Sequence, residues 1–147
     1  MGSEMCIRDR AKYLRIMGYD TAYQPRYTDQ RIRELVAEGR VLLTRSRDRA
    51  MKQENTILVD RDQVRDQLEV LDRAVGLTRD RTGYFRRCIR CNSPLEKAQE
   101  EVAREQVPDY VFTTHRDRIL FCPSCLRCYW PGTHRERMLA ILRDWGY

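Results

Sequence analysis

The sequence lacks a hydrophobic run long enough to cross a bilayer, and it lacks a secretory signal peptide or any other targeting segment. These absences exclude a membrane-spanning protein and predict a cytoplasmic one. Lysine is scarce as well, because only three of the 28 cationic residues are lysines and the other 25 are arginines.

The charge balance favours an anionic partner. The chain of 147 residues has a formal net charge of +6, and 34% of its residues are charged. The planar guanidinium of arginine binds two phosphate oxygens at once, so a basic, arginine-rich surface indicates nucleic acid. An arginine-biased genome would produce the same composition, and composition alone leaves both explanations open. The length suits one domain, or a small domain with an insertion.

Four cysteines form two Cys-x-x-Cys pairs, a spacing that places four thiolates around one tetrahedral zinc ion. They are Cys88, Cys91, Cys122 and Cys125. Four thiolates leave no open coordination position, so the predicted zinc is structural. Two disulfides are the alternative, which the absence of a signal peptide disfavours. The long spacing between the pairs predicts an insertion, and we expect Cys128 to pack as a small apolar side chain.

The hydrophobic pattern of residues 11–75 alternates between helix and strand. Helices are predicted over residues 11–17, between Thr28 and Gly39, and over residues 49–53 and 63–75. Strands are predicted over residues 21–24, 41–44 and 56–59. This order predicts an α/β fold with a parallel sheet and helical crossovers, in which ligands bind at the carboxyl ends of the strands.

We divide the chain into three parts. Residues 1–10 have neither a helical nor a strand period and look like translated sequencing adapter, so we interpret them as a non-native or unstructured leader. Residues 11–83 hold the alternating pattern, and residues 84–147 hold the zinc ribbon and a C-terminal helix. Thr133 and Glu136 predict a capping box at the start of that helix, with Met138, Leu142 and Trp145 on one face.

Four local strings, taken in order, resemble one family. They are residues 13–21, 39–45, 87–92 and 129–134. Together they are similar to the Mut-seven C-terminal RNase domain family, in which a PIN-like α/β nuclease fold is followed by a zinc ribbon. The similarity covers nearly everything between Ala11 and Trp145. It implies a metal-dependent ribonuclease that hydrolyses RNA with Mg²⁺ or Mn²⁺, held by carboxylates at the carboxyl ends of the strands.

The resemblance implies that Asp29 and Asp48 are the catalytic metal ligands of this chain. Asp29 matches the acidic residue that opens the family's second helix, although a plain N-cap role stays open. Asp48 lies two residues after Ser46, which stands where the family often has an aspartate, so either Asp48 substitutes for that aspartate or the position is vacant. The family also begins with a strand that ends in a metal-binding aspartate, and residues 1–10 replace both here. We therefore expect residues 11–83 to be a PIN-like domain without its first strand. The ribonuclease as written is then inactive unless the remaining carboxylates suffice.

RNA is the partner that the resemblance implies, and basic or aromatic side chains are the candidates for binding it. They are Arg45, Arg86, Arg87, Trp130 and His134. Trp130 has two explanations, which are stacking on a base and packing of the ribbon against the last helix. The alternative function is a non-catalytic zinc-ribbon RNA-binding module, and a structural interaction module is the third. The sequence predicts no oligomeric state.

Overall fold

A computed structural model describes the backbone of residues 3–147 and the side chains of residues 8–147. The chain forms two compact units. Unit 1 contains the described residues up to Ala11 together with Ala22–Leu77, and unit 2 contains Lys12–Thr21 together with Thr78–Tyr147. Residues 12–21 and 78–83, predicted to belong to the α/β part of the chain, thus lie in unit 2.

The first helix, α1, spans Ser3–Ile16. It begins well before the predicted helix over residues 11–17, so residues 3–10 of the predicted leader are helical, and residues 1 and 2 lie outside the described residues. That the leader is foreign to the protein stays a prediction. Leu14 and Met17 are buried.

Unit 1 contains a parallel pair of strands joined by a helix. Its elements are α2 (Asp29–Ala37), β1 (Leu42–Thr44), α3 (Arg47–Lys52), β2 (Thr56–Leu58) and α4 (Val64–Val75). β1 and β2 pair in parallel with Leu43 opposite Ile57, and α3 is the crossover between them. The predicted parallel pairing with a helical crossover is therefore confirmed for these two strands.

Residues 21–24 were predicted to be a strand, and they form none. The reason is that side chains satisfy the backbone of Thr21. Its N–H donates to Oδ1 of Asn92 at 2.8 Å, and its carbonyl accepts from Nε of Arg15 at 2.9 Å. A backbone whose donor and acceptor are already satisfied by side chains has no need of a partner strand. Within the described residues, the sheet of unit 1 thus contains two strands.

The buried face of α4 differs by one position from the predicted face. The predicted face contained Val64, Leu68, Leu71 and Val75. Leu68 and Leu71 are buried, but Val75 is 58% exposed and Gln67 is completely buried. The helix ends at Gly76, whose φ of 70° lies in the left-handed region that favours glycine.

Unit 2 places a small antiparallel sheet and two short helices around the cysteines. The strands are β3 (Glu96–Lys97), β4 (Leu120–Phe121) and β5 (Cys128–Tyr129), paired in the order β3-β4-β5. Between β3 and β4 lie α5 (Glu100–Gln106) and α6 (Asp109–His115), which are the predicted insertion between the two cysteine pairs. A small hydrophobic core forms there, and it contains Ala103, Val107, Val111 and Ile119.

The last helix, α7, spans Thr133–Asp144, and its predicted capping box is wrong. Gly132 is the N-cap residue, and no side chain accepts a hydrogen bond there. The first turn closes through the backbone instead, because the N–H of Glu136 donates to the carbonyl of Gly132. Met138 and Leu142 are buried, as predicted. Among the described residues, every helix is too short or too polar to cross a membrane.

Candidate functional site

The first cysteine pair sits in a tight turn that returns the chain on itself. The N–H of Cys88 donates to the carbonyl of Ser93, and the N–H of Asn92 donates to the carbonyl of Cys88, both at 2.9 Å. Asn92 has a φ of 66°, a left-handed conformation that asparagine tolerates better than most residues. The N–H of Cys91 also points to the sulfur of Cys88 at 3.4 Å.

The second pair repeats this turn with different residues. The N–H of Cys122 donates to the carbonyl of Arg127, and the N–H of Leu126 donates to the carbonyl of Cys122, again at 2.9 Å. Leu126 takes the position of Asn92 and has a φ of 63°. The two turns therefore present their sulfurs with the same backbone geometry.

The four sulfurs of these turns converge on one point. The four sulfur atoms all lie within 4.8 Å of one another, and the sulfurs of Cys88 and Cys125 are 3.8 Å apart. A tetrahedron with zinc–sulfur bonds of about 2.3 Å has edges of about 3.8 Å. The four cysteines are thus positioned to bind one metal ion, consistent with structural zinc. Among the described residues, they form the one metal-competent group of three or more cysteines, histidines or carboxylates.

Hydrogen bonds favour the thiolate form of Cys88. Burial raises the pKa of its thiol, but the Tyr129 hydroxyl, 3.1 Å from the sulfur, and nearby backbone N–H groups outweigh burial and lower the pKa to about 7. Burial and the neighbouring thiols instead raise the pKa of Cys91 to about 12. Cys128 is half-buried and packs against the small core of unit 2, as predicted, and it is not one of the four converging cysteines.

A network that the sequence analysis missed holds the first cysteine turn. The buried guanidinium of Arg15 donates to the carbonyls of Ile89 and Arg90 at 3.0 and 3.2 Å. The side-chain amide of Asn92 accepts from the N–H of Thr21 and donates to Asp20 at 2.6 Å. These partners lie more than 70 residues apart along the chain, so no local sequence pattern predicts them.

Arg86 and Arg87 lie together beside an open cleft of about 400 Å³ within unit 2. Its wall also includes Gly18, Tyr19 and Thr78. Arg87 donates to the carbonyls of Gly18 and Asn92, and Arg86 donates to the carbonyl of Thr82. Within the described part of the chain, neither guanidinium is paired with a carboxylate. Their positive charge is therefore not compensated.

The two predicted catalytic aspartates lie on neighbouring helices of unit 1, and each forms an ion pair with a basic side chain. The N-cap of α2 is Thr28, whose hydroxyl accepts from the N–H of Arg31, so Asp29 is the first helical residue and not the cap. Oδ1 of Asp29 is 3.0 Å from the guanidinium of Arg49. Asp48 is adjacent to Arg49 in the sequence, and its Oδ1 is 2.9 Å from Nζ of Lys52.

Two further ion pairs bridge the segments that follow β1 and β2. Asp60 and Asp62 lie in the turn between β2 and α4. Asp60 pairs with Arg47 at 3.2 Å and Asp62 pairs with Arg45 at 2.7 Å. The four aspartates at this edge of unit 1 thus each face one cation. Within the described residues, no three carboxylates converge as metal ligands.

Gln67 holds the segment after β2 in place through side-chain hydrogen bonds. Its side chain is completely buried, and Nε2 donates to the carbonyls of Arg61 and Asp62 at 3.0 and 3.4 Å. Gln67 was not predicted to be buried, because hydrophobic periodicity identifies only the apolar side chains on the inner face of α4. A glutamine on the inner face of an amphipathic helix is the signal that could have found it.

The remaining predicted RNA-binding residues occupy different environments. Trp130 is half-buried and packs against the small core of unit 2, whereas the packing predicted from sequence was against the last helix. His134 is exposed in the first turn of α7. Arg45 is held by its ion pair with Asp62 at the carboxyl end of β1.

Comparison with known families gives one match. The family model described as Mut7-C RNAse domain matches residues 3–142, which is nearly the whole chain. The matched range contains the four converging cysteines and both predicted catalytic aspartates. No curated protein and no solved structure matches the chain.

Proposed function

This chain belongs to the Mut7-C RNAse domain family, and we propose that it hydrolyses RNA phosphodiester bonds with the help of Mg²⁺ or Mn²⁺. The match over residues 3–142 is the observation that carries the proposal. The aspartates beside the carboxyl ends of β1 and β2 support it, because ligands of open α/β sheets bind at that edge.

Asp29 and Asp48 are the proposed ligands of the catalytic ion. Both side chains are exposed, at 72% and 74%, and both offer the hard oxygen atoms that Mg²⁺ and Mn²⁺ prefer. Mg²⁺ commonly binds through one or two carboxylates and keeps several waters, so two aspartates fit such an ion. When bound, such an ion makes a coordinated water more nucleophilic and neutralises charge on the phosphate.

The basic side chains that form ion pairs with these aspartates have a second role in the proposal. Exposed ion pairs contribute only about 0–1 kcal/mol each, so a divalent cation can replace Arg49 on Asp29 and Lys52 on Asp48 at little cost. The released guanidinium and ammonium groups then bind phosphate oxygens of the RNA. The same four side chains would thus exchange partners when metal and RNA arrive together.

Unit 2 is proposed to supply most of the affinity for RNA. It contains 15 Lys or Arg and 10 Asp or Glu, whereas unit 1 contains 13 and 12. The guanidiniums of Arg86 and Arg87 beside the cleft, which make no ion pair with a carboxylate among the described residues, are suited to phosphate. The zinc holds the turn next to Arg87 in place and takes no part in the chemistry.

Cleavage of single-stranded RNA with and without added Mn²⁺ tests this function. We expect cleavage to need Mn²⁺ and to fall at least tenfold in Asp48→Asn. Asp66→Asn is the matched control, since Asp66 is also an aspartate in the first turn of a unit 1 helix, and it should cleave normally. Cleavage that is equal without divalent metal would contradict the proposed role of the ion.

A non-catalytic RNA-binding module is the second candidate. It is favoured by the pairing of every aspartate at the carboxyl edge with a cation and by the excess charge of unit 2. RNA binding that weakens steeply with salt, without cleavage at any Mn²⁺ concentration, would support this candidate over the ribonuclease.

A further inference from the structure

Phe85 has an unusual backbone conformation for a bulky residue. Its φ of 59° lies in the left-handed region, where most side chains other than those of glycine and asparagine are strained. A hydrogen bond from its N–H to the carbonyl of the buried Ile16, at 2.8 Å, fixes this conformation within unit 2. Backbone strain of this kind is concentrated at functional sites.

The strained backbone aims the ring of Phe85 at an arginine of α7. The guanidinium carbon of Arg135 lies 4.5 Å from the ring centroid, within the range of a cation–π contact. Arg135 is half-buried, so part of the residue remains accessible. A planar guanidinium held against an aromatic ring presents a flat, preorganised surface.

Arg118 brings a second positive charge to Arg135. Burial lowers the pKa of Arg135, and the charge of Arg118 lowers it further. Within the described residues, neither arginine makes an ion pair with a carboxylate. Two arginines that repel each other without a counter-charge form a local excess that an anion would relieve.

We propose that Phe85 and Arg135 form a stacking site for an unpaired nucleobase of single-stranded RNA, with Arg118 and Arg86 binding the flanking phosphates. The proposal rests on the proposed function for the identity of the ligand as RNA. The base stacks on the guanidinium of Arg135, as bases do on arginine planes and aromatic rings in single-strand binding proteins. Arg86 follows Phe85 directly in the sequence and lines the open cleft of unit 2.

This site predicts a preference for single strands. In a duplex, each base is already stacked on its neighbours and cannot lie against Arg135. The phosphate contacts of Arg118 and Arg86 are available to both forms of RNA. Stacking should therefore discriminate between the two forms, whereas charge should not.

The test is the affinity for a fluorescent single-stranded RNA and for its duplex, measured by anisotropy without added divalent metal. Arg135→Lys keeps the charge and removes the plane, and we expect roughly tenfold weaker binding of the single strand with little change for the duplex. Arg118→Gln should weaken both and reduce the slope of log affinity against log salt by about one. Arg137→Lys, an exposed arginine of the same helix, is the control and should bind like the wild type.

Two results would overturn the stacking site. One is an unchanged single-strand affinity in Arg135→Lys, with zinc content and circular dichroism equal to the wild type. The other is an equal loss for the single strand and the duplex, which would show that only charge was lost. Failure of Mn²⁺-dependent cleavage with the predicted single-strand loss intact would instead contradict the ribonuclease and leave the stacking site standing.

Discussion

Oδ1 of Asn92 accepts a hydrogen bond from the backbone N–H of Thr21 at 2.8 Å, across 71 residues of sequence. Asn92 also closes the first cysteine turn with its left-handed backbone. One residue therefore links the metal site to the segment Lys12–Thr21, which belongs to the same unit. Because Asn92 has both roles, a substitution there can test the hydrogen bonds to the segment separately from metal binding.

Asn92→Gly should destabilise the protein while leaving the metal site intact. Glycine keeps the left-handed backbone but loses the hydrogen bonds to Thr21 and Asp20, so we expect a loss of about 1–3 kcal/mol in the free energy of unfolding. Urea denaturation measures the loss, and zinc analysis should still find one ion per chain. An unchanged free energy of unfolding would show that these hydrogen bonds do not hold the segment.

Leu126→Asn should have the opposite effect. Leu126 takes the same left-handed position in the second turn, and it is 60% exposed. The left-handed backbone conformation costs a leucine about 1 kcal/mol or more. Asparagine tolerates this conformation, so we expect a gain of about 1 kcal/mol in the free energy of unfolding and a higher Tm. A lower Tm would mean that the leucine side chain makes a contact whose stabilisation exceeds the cost of the strained backbone.

Gly18→Ala should be more destabilising than Gly39→Ala. Both glycines have a φ above 90°, so both substitutions carry the same backbone strain. A methyl group on Gly18 would also lie 2.7 Å from the carbonyl oxygen of Gly83, whereas a methyl group on Gly39 meets nothing within 4 Å. The difference between the two Tm values reports the steric term alone. Equal Tm values would contradict the close approach of Gly18 and Gly83.

Cys122→Ser should release the metal and unfold the ribbon, because the free energy of metal binding is folding free energy at such sites. Cys128→Ser is the matched control, since Cys128 lies three residues after Cys125 and is not one of the converging cysteines. Elemental analysis should find less than about a tenth of an ion per chain in the first variant and one ion in the second. Full zinc occupancy in Cys122→Ser would show that the ligand set is wrong.

The metal site could be predicted from sequence because its signal is local. A Cys-x-x-Cys pair encodes its own turn, and two such pairs specify the four ligands. The pairing of β1 with β2 was also accessible, since the apolar residues of Leu42–Thr44 and the helix that follows reflect a buried strand and a crossover. Each of these predictions depends on residues that lie close together in the chain.

The errors arose where distant side chains decide the structure. The strand at residues 21–24 is absent because Asn92 and Arg15 satisfy the backbone of Thr21. One error was local: Thr133 does not cap α7, because Gly132, which has no side chain, is the N-cap residue. The ion pairs of Asp29 and Asp48 depend on where α2 and α3 lie, which hydrophobic periodicity does not encode.

The central claim is that Asp29 serves RNA hydrolysis, and the most direct measurement is Mn²⁺-dependent cleavage of single-stranded RNA by Asp29→Asn. The matched control is Asp109→Asn, because Asp109 is also an exposed aspartate at the first position of a helix. We predict that the wild type and the Asp109 variant cleave at the same rate and that the Asp29 variant loses at least tenfold. Equal cleavage by all three proteins, or cleavage by none of them, would contradict the claim.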